Sequence, residues 1–248
     1  MDDTSRINSA PPIVLIRGLM GDASYWDYFK QLLEQRLQRN VYLLDLTTAF
    51  DRDESVHLDE WVERLRQHLN EEFGHRRCHL VSLSLGAVVA LNWQQRFPDE
   101  VASCTFINAA FIDGQQRWQP QRWWLLIKLA VLTLWPGNRP ERWLRWLSAW
   151  PTLHSPWPDD KEPPVNVRRL VAQYQILLKG VAFSQPSAPC QLLVSRHDRL
   201  VHCSHSYQLA ERWQSPLFPH LSAGHDLALD DPRWVCEKIT DWVIRHDS

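Results

Sequence analysis

Short apolar runs alternate along the chain with segments whose apolar residues recur three or four positions apart. The apolar runs, which are typical of strands buried on both faces, cover residues 13–16, 41–46, 79–83, 104–108, 191–195 and, more weakly, 217–221. Helical spacing covers residues 26–37, 58–73 after a possible cap at Ser55, 85–97, 204–213 and a last helix opened by Asp231 and Pro232. This order predicts an α/β fold, with a mostly parallel sheet of about six strands and helices on both faces.

The alternation is interrupted between residues 112 and 184. We therefore divide the chain into the first part of an α/β core (1–111), a helical, tryptophan-rich lid (112–184) and the second part of the same core (185–248). A length of 248 residues suits one structural domain with a lid rather than two independent domains. In parallel sheets, ligands bind beyond the carboxyl ends of the strands, so the residues that follow the strands are the candidates for chemistry.

The strongest chemical signal is the sequence VSLSLGA, which places Ser84 between a buried strand and a helix. Ser82 and Gly86, two positions before and after it, are small enough for the tight strand-to-helix turn that exposes a nucleophilic serine. At the start of that helix, the amide of Leu85 and the helix dipole can stabilise an oxyanion. The alternative interpretation is an ordinary strand end followed by a helix cap.

A serine hydroxyl is a weak nucleophile and needs a base that a third group orients. His225, in the loop before the last helix, is the candidate base, and Asp198, just past a predicted strand, is the candidate acid. The chain order of Ser84, Asp198 and His225 is the order that accompanies this type of serine turn. Asp113, which follows the fourth strand, is the competing acid.

Other polar residues near these positions have simpler interpretations. Asp226 is expected to face the loop or solvent, and Asp230 and Asp231 are explained by helix capping. Four possible metal ligands lie within nine residues around Asp198, but their spacing matches no zinc motif: His197, His202, Cys203 and His205. We expect neither a metal nor another cofactor.

The chain resembles the α/β-hydrolase superfamily from Ile13 to Ile244. The motifs that carry the resemblance are IVLIRGLMGD, HLVSLSLGAVVALNWQQRFPDEV, LLVSRHDRLV and SAGHDLALDDP. The resemblance implies the α/β-hydrolase fold and cofactor-free hydrolysis of an ester or related acyl bond through an acyl-enzyme. It also implies that the backbone amides of Leu19 and Leu85 form the oxyanion hole. We place Arg17, Trp123 and Trp124 at the substrate pocket.

Three features depart from the family pattern. Arg17 stands where the family usually has histidine before Gly18, and residues 46–48 lack the usual glycine-rich turn. Only 12 residues precede Ile13, so the two antiparallel strands that often begin this fold are expected to be absent.

The lid carries eight of the 14 tryptophans, between residues 118 and 157. Within 117–157 there are six basic residues and a single acid, Glu141, and the apolar run 123–135 is too short to span a bilayer. The tryptophans can simply bury the lid against the core. Alternatively, the lid lines an acyl-chain pocket and presents a basic face to an anionic lipid surface or an acidic carrier protein.

Composition bears on the partners and the cellular location of the protein. A net charge of −2 gives no field that attracts nucleic acid. Five scattered cysteines and a polar start without an apolar signal segment indicate reduced thiols and a cytoplasmic protein. The expected partner is a small-molecule acyl ester. An acyltransferase with the same three residues and a non-catalytic binding protein of the same fold are the rival functions.

Overall fold

The computed structural model describes residues 10–18, 26–44, 46, 57–74, 77–111, 127, 173, 175–177 and 184–247. The strands are β1 (Ile13–Ile16), β2 (Val41–Leu44), β3 (Cys78–Leu83), β4 (Val101–Ile107), β5 (Cys190–Ser195) and β6 (Leu217–His220). The helices are α1 (Asp27–Leu37), α2 (Leu58–Phe73), α3 (Leu85–Arg96), α4 (Cys203–Trp213), α5 (Leu227–Asp230) and α6 (Pro232–Arg245), with a 3-10 turn at Pro98–Glu100.

The six strands form one parallel sheet in the order β2-β1-β3-β4-β5-β6. The expected fold class and the expected six-stranded core are therefore confirmed. After β1 the chain adds β2 at one edge of the sheet. It then crosses back, and β3 to β6 are added one after another on the other side of β1. This reversal opens a crevice beyond the carboxyl ends of β1 and β3, which is where ligands bind in such sheets.

Successive residues of the strands point to opposite faces of the sheet, and each face is covered by helices. Val14 of β1 and Leu80 of β3 lie in one apolar cluster with residues of α2, α3 and α4. Ile13 of β1 and Val81 of β3 lie in a second cluster with residues of α1, α5 and α6. Strands β1, β3, β4 and β5 are buried at every residue and are therefore mostly apolar. Buried polar residues within them have hydrogen-bond partners, as His79 has in Ser103 and Gln191 in Thr105.

Two element boundaries differ from the sequence predictions. Helix α2 begins at Leu58 with His57 at its N-cap, so the expected cap at Ser55 is wrong. Strand β4 begins at Val101, three residues earlier than expected, because Val101 pairs with Cys78 at the start of β3. The cap of the last helix is confirmed, since the Asp231 side chain accepts a hydrogen bond from Trp234 N and Pro232 follows it.

Most of the predicted lid, including Trp123 and Trp124, lies outside the described residues. Near its end, Ile176 and Leu177 are 1% and 4% exposed and belong to the apolar cluster on the α2, α3 and α4 side of the sheet. Within the part of the chain that the structure describes, no helix is both long enough and apolar enough to cross a bilayer.

Candidate active site

Ser84 occupies the turn between β3 and α3 in a backbone conformation that few residues adopt. Its φ of 55° and ψ of −115° place a side-chain-bearing residue in the region that favours glycine. Such a conformation costs about 1–3 kcal/mol and persists only where surrounding contacts enforce it. Here Ser84 N donates to Ile107 O at 3.0 Å, and Ser84 O accepts from Ala110 N at 3.2 Å. The strained turn predicted for a nucleophilic serine is present.

Two glycines have backbones so close to this turn that a side chain would collide with it. A Cβ on Gly86 would lie 2.4 Å from Ile16 O and 2.7 Å from Arg17 O. A Cβ on Gly18 would lie 2.9 Å from the Cβ of Ser84 and 3.5 Å from its Oγ. The segment after β1 therefore passes directly beside the Ser84 hydroxyl. This contact explains in steric terms why the motif needs glycine at both positions.

Asp198 and His225 lie 27 residues apart in the chain and form a buried hydrogen bond. The Nδ1 atom of His225 is 2.7 Å from Oδ2 of Asp198, and the two side chains are 7% and 1% exposed. The other carboxylate oxygen, Oδ1, accepts from the backbone amides of Leu200 at 2.7 Å and Val201 at 2.9 Å. Since three donors fix the carboxylate, it can orient the imidazole with Nδ1 protonated and Nε2 available as a base.

The pKa of His225 is raised above its ordinary value. Burial opposes the charged form, but the charge and the hydrogen bond of Asp198 outweigh burial, and the charge of Asp226 adds to them. The charge of Arg17 acts in the opposite direction. The arrangement therefore stabilises an imidazolium, the form that a general base takes after it has accepted a proton.

Asn108, which the sequence analysis missed, joins three parts of this site. It follows β4 with a φ of 41°, and its Oδ1 accepts from Ser195 N at 2.8 Å. Its Nδ2 donates to His225 O at 2.6 Å and to Gly224 O at 3.3 Å. Because Asn tolerates the left-handed conformation and carries both a donor and an acceptor, it suits this position. The signal in the sequence that could have pointed to this residue was a polar Asn at the end of a mostly apolar strand.

Asp230 also fixes the loop that carries His225. Its Oδ2 accepts from Gly224 N at 2.5 Å. Burial raises the pKa of Asp230 to about 6, and the bond from Gly224 opposes that rise. The expectation that Asp230 caps a helix is wrong, because it lies at the last position of α5 and binds the preceding loop instead.

Asp226 is the second correction. It was expected to face the loop or solvent, but it is 4% exposed and forms an ion pair with Arg17, with Nη2 and Oδ2 2.7 Å apart. Arg17, placed at the substrate pocket by the sequence analysis, therefore has its guanidinium held by a carboxylate of the protein. The other two residues assigned to that pocket, Trp123 and Trp124, lie outside the described residues.

The structure brings the Ser84 turn and the His225 loop to the same sheet edge through two adjacent residues, the last of β4 and the one that follows it. Ile107 accepts from Ser84 N, and the next residue, Asn108, donates to His225 O. Within the described part of the chain, the Ser84 hydroxyl and the His225 imidazole are not hydrogen bonded to each other. In unliganded active sites such bonds are often long and shorten in the substrate complex.

Of the two proposed oxyanion donors, Leu85 is the first residue of α3, where backbone amides lack partners within the helix. Leu19 lies outside the described residues, as does Asp113, the competing acid. Gly18, which precedes Leu19, is in contact distance of Ser84.

The possible metal ligands around Asp198 do not form a metal site in the described residues. His202 instead stands at the N-cap of α4, where its side chain accepts from Ser204 N at 3.3 Å.

A parallel sheet with helices on both faces, a strained serine at the strand-to-helix turn and a buried Asp–His pair at the same edge define a hydrolase-type site. The model of the alpha/beta hydrolase family matches residues 13–238, so the chain belongs to that family. This membership supports hydrolase activity.

Individual relatives agree with the family assignment. RutD of Pantoea ananatis (strain LMG 20103), provisionally named a carbamate hydrolase, is 26% identical over 266 residues, covering 96% of this chain and 90% of that protein. A thermophilic esterase from Thermogutta terrifontis has a TM-score of 0.71 at 15% identity, covering 97% and 92% of the two chains. Carboxylesterase CesB (YbfK) from Bacillus subtilis has a TM-score of 0.63 at 19% identity, covering 94% and 84%. The likeness to these two solved structures concerns the fold.

Proposed function

We propose that the protein is a serine hydrolase that cleaves a carboxylic ester, or a related acyl bond, through an acyl-enzyme on Ser84. The observation that carries the proposal is the buried hydrogen bond between Asp198 and His225 at the sheet edge where Ser84 is held in its strained turn. A histidine that a carboxylate orients, at the sheet edge where a serine occupies a strand-to-helix turn, is the arrangement that activates a hydroxyl for acyl transfer.

In the first half of the proposed reaction, Nε2 of His225 accepts the Ser84 proton while Oγ forms a bond to the carbonyl carbon. The carbonyl oxygen becomes an oxyanion that the amides of Leu85 and Leu19 receive. The carbon–oxygen bond to the leaving alcohol then breaks, and the alcohol takes the proton from Nε2. The products of this half are a free alcohol and an ester of Ser84.

In the second half, water attacks the acyl-enzyme while Nε2 of His225 accepts one of its protons. The bond from the carbonyl carbon to Ser84 Oγ breaks, and Oγ recovers a proton from the imidazolium. The free carboxylic acid leaves. Asp198 keeps its charge throughout and stabilises the imidazolium in both halves.

Hydrolysis of p-nitrophenyl acetate, butyrate, octanoate and palmitate tests this proposal. The wild-type protein should hydrolyse at least one of these esters. The kcat of Ser84→Ala for that ester should be lower by about a thousandfold or more. Ser103→Ala is the matched control because Ser103 is a buried serine on β4 near the amino-terminal edge of the sheet. No turnover by the wild-type protein, or equal turnover by Ser84→Ala, would contradict the proposal.

Two alternatives concern what the acyl-enzyme reacts with and which bond is cut. Adding acceptor alcohols to the assay separates hydrolysis from acyl transfer, since a transferase forms a new ester as the main product. The provisional name of the Pantoea ananatis relative makes carbamates a second substrate class to compare with esters. The anionic lipid or acidic carrier partner of the lid stays a prediction from the sequence.

A further inference from the structure

Arg17 and Asp226, 209 positions apart in the chain, form an ion pair beside the candidate active site. Nη2 of Arg17 is 2.7 Å from Oδ2 of Asp226, and the side chains are 12% and 6% exposed. The other oxygen of Asp226 accepts from Nε1 of Trp26 at 3.2 Å, and the guanidinium of Arg17 lies 5.6 Å from the centre of a Trp26 ring. Each carboxylate oxygen therefore has a donor.

The ion pair joins the segment that passes beside Ser84 to the segment that carries His225. Arg17 precedes Gly18, whose backbone is packed against the Ser84 side chain. Asp226 directly follows His225. A buried pair of this kind holds its two segments firmly, because separating them leaves each charge in a poorly solvated site.

We propose that the Arg17–Asp226 ion pair positions His225 relative to the Ser84 turn, and that Arg17 acts through this pair instead of binding substrate. The proposal rests on the proposed function in one respect, since it takes Ser84 and His225 as nucleophile and base. It assigns a role to the arginine that replaces the usual histidine of the family motif.

The charges around His225 give this proposal a signature that a purely structural contact would lack. In the described residues, the charged groups that face the imidazole are Asp198, Asp226, Asp230 and Arg17. Asp226 raises the pKa of His225 and Arg17 lowers it. Neutralising one member of the pair should therefore shift that pKa in the opposite direction from neutralising the other.

NMR titration of the His225 imidazole measures this directly and needs no substrate. The His225 signal is assigned by its loss in His225→Gln. Asp226→Asn should lower the His225 pKa by about half a unit or more, and Arg17→Met should raise it by a similar amount. Arg17→Lys keeps the charge and should stay near the wild-type value.

Kinetics with a neutral ester supply the second measurement. The acid limb of the kcat/KM profile should move with the NMR pKa in each variant. Because the proposed role is positioning, Arg17→Met should lower kcat about tenfold or more while KM stays within about twofold. If one single variant fails to fold, the double variant Arg17→Met/Asp226→Asn removes both buried charges. Its His225 pKa should then lie below that of Arg17→Met, or above that of Asp226→Asn, whichever single variant folds.

The matched control is a second arginine–aspartate pair at the opposite edge of the sheet. Nη1 of Arg39, before β2, donates to Oδ1 of Asp247 at 2.6 Å. Arg39→Met and Asp247→Asn should leave the His225 pKa unchanged.

Two results would overturn the proposal. One is a His225 pKa that stays fixed, or moves in the same direction, in Arg17→Met and Asp226→Asn. The other is an Arg17→Met variant whose KM rises for anionic esters and not for neutral ones, which would make Arg17 a substrate contact. The His225 pKa could also shift in opposite directions in the two variants while the protein hydrolyses no acyl substrate. That result would support the effect of the ion pair on His225 and refute the proposed function.

Discussion

Asn108 is the residue whose removal tests most sharply how the His225 loop is held. Its side chain makes two short hydrogen bonds in a buried position, to His225 O at 2.6 Å and from Ser195 N at 2.8 Å. A third, to Gly224 O, is longer at 3.3 Å. Substituting Asn108 by Gly or Ala removes all three and leaves backbone groups of β5 and of the His225 loop without this partner.

The size of the effect follows from those contacts. A buried polar group that loses its partner costs about 1–3 kcal/mol, so losing the two short bonds should lower the free energy of unfolding by about 3 kcal/mol. Gly tolerates the observed φ of 41°, whereas Ala adds backbone strain of about 1 kcal/mol. Asn108→Ala should therefore be about 1 kcal/mol less stable than Asn108→Gly.

Equilibrium unfolding in urea, followed by tryptophan fluorescence, measures both differences. The control is Asn92→Ala, which removes only an exposed 2.9 Å hydrogen bond to Asp59 and should change stability by about 0.5 kcal/mol or less. Kinetics on the same proteins should show kcat/KM reduced about a hundredfold in Asn108→Gly, because the loop bearing His225 loses its anchor.

An Asn108→Gly protein with stability within about 0.5 kcal/mol of wild type and kcat/KM within twofold would refute this reasoning. Equal stability of the Gly and Ala variants would refute only the part that concerns backbone strain.

Three further predictions use other parts of the structure. Asp198→Asn should lower kcat about 10⁴-fold. It should also shift the acid limb of the pH profile of kcat/KM to lower pH from its wild-type position above pH 6.5, because the charge that raises the His225 pKa is lost. An unchanged acid limb would contradict this prediction. Gly86→Ala should lower the Tm by about 10 °C, since its Cβ would meet Ile16 O at 2.4 Å, and a calorimetric Tm equal to wild type would show that the backbone yields. Burial lowers the pKa of His79 to about 4 from 6.5, so its stabilising effect is complete above pH 6.5 and is lost as the pH falls toward 4. Urea unfolding at pH 7 and pH 4 should show about 3 kcal/mol more acid destabilisation in wild type than in His79→Gln, and equal losses would disprove the assignment.

Local pattern was sufficient to predict the sheet, because strands buried on both faces are mostly apolar runs and the helices between them have an apolar stripe. The turn at Ser84 was predictable for the same reason, since its steric requirement is expressed in adjacent residues. The ion pair of Arg17 with Asp226 was not, because it joins loops 209 positions apart and depends on how those loops meet. The role of Asn108 likewise depends on loops that no local pattern brings together.

The central claim is that Ser84 is a nucleophile activated by His225, and covalent labelling with a fluorophosphonate tests it most directly. Peptide mass spectrometry should locate the adduct on Ser84 in the wild-type protein, with no labelling of Ser84→Ala and labelling slowed by orders of magnitude in His225→Gln. An adduct on another residue, or labelling of His225→Gln at the wild-type rate, would contradict the account.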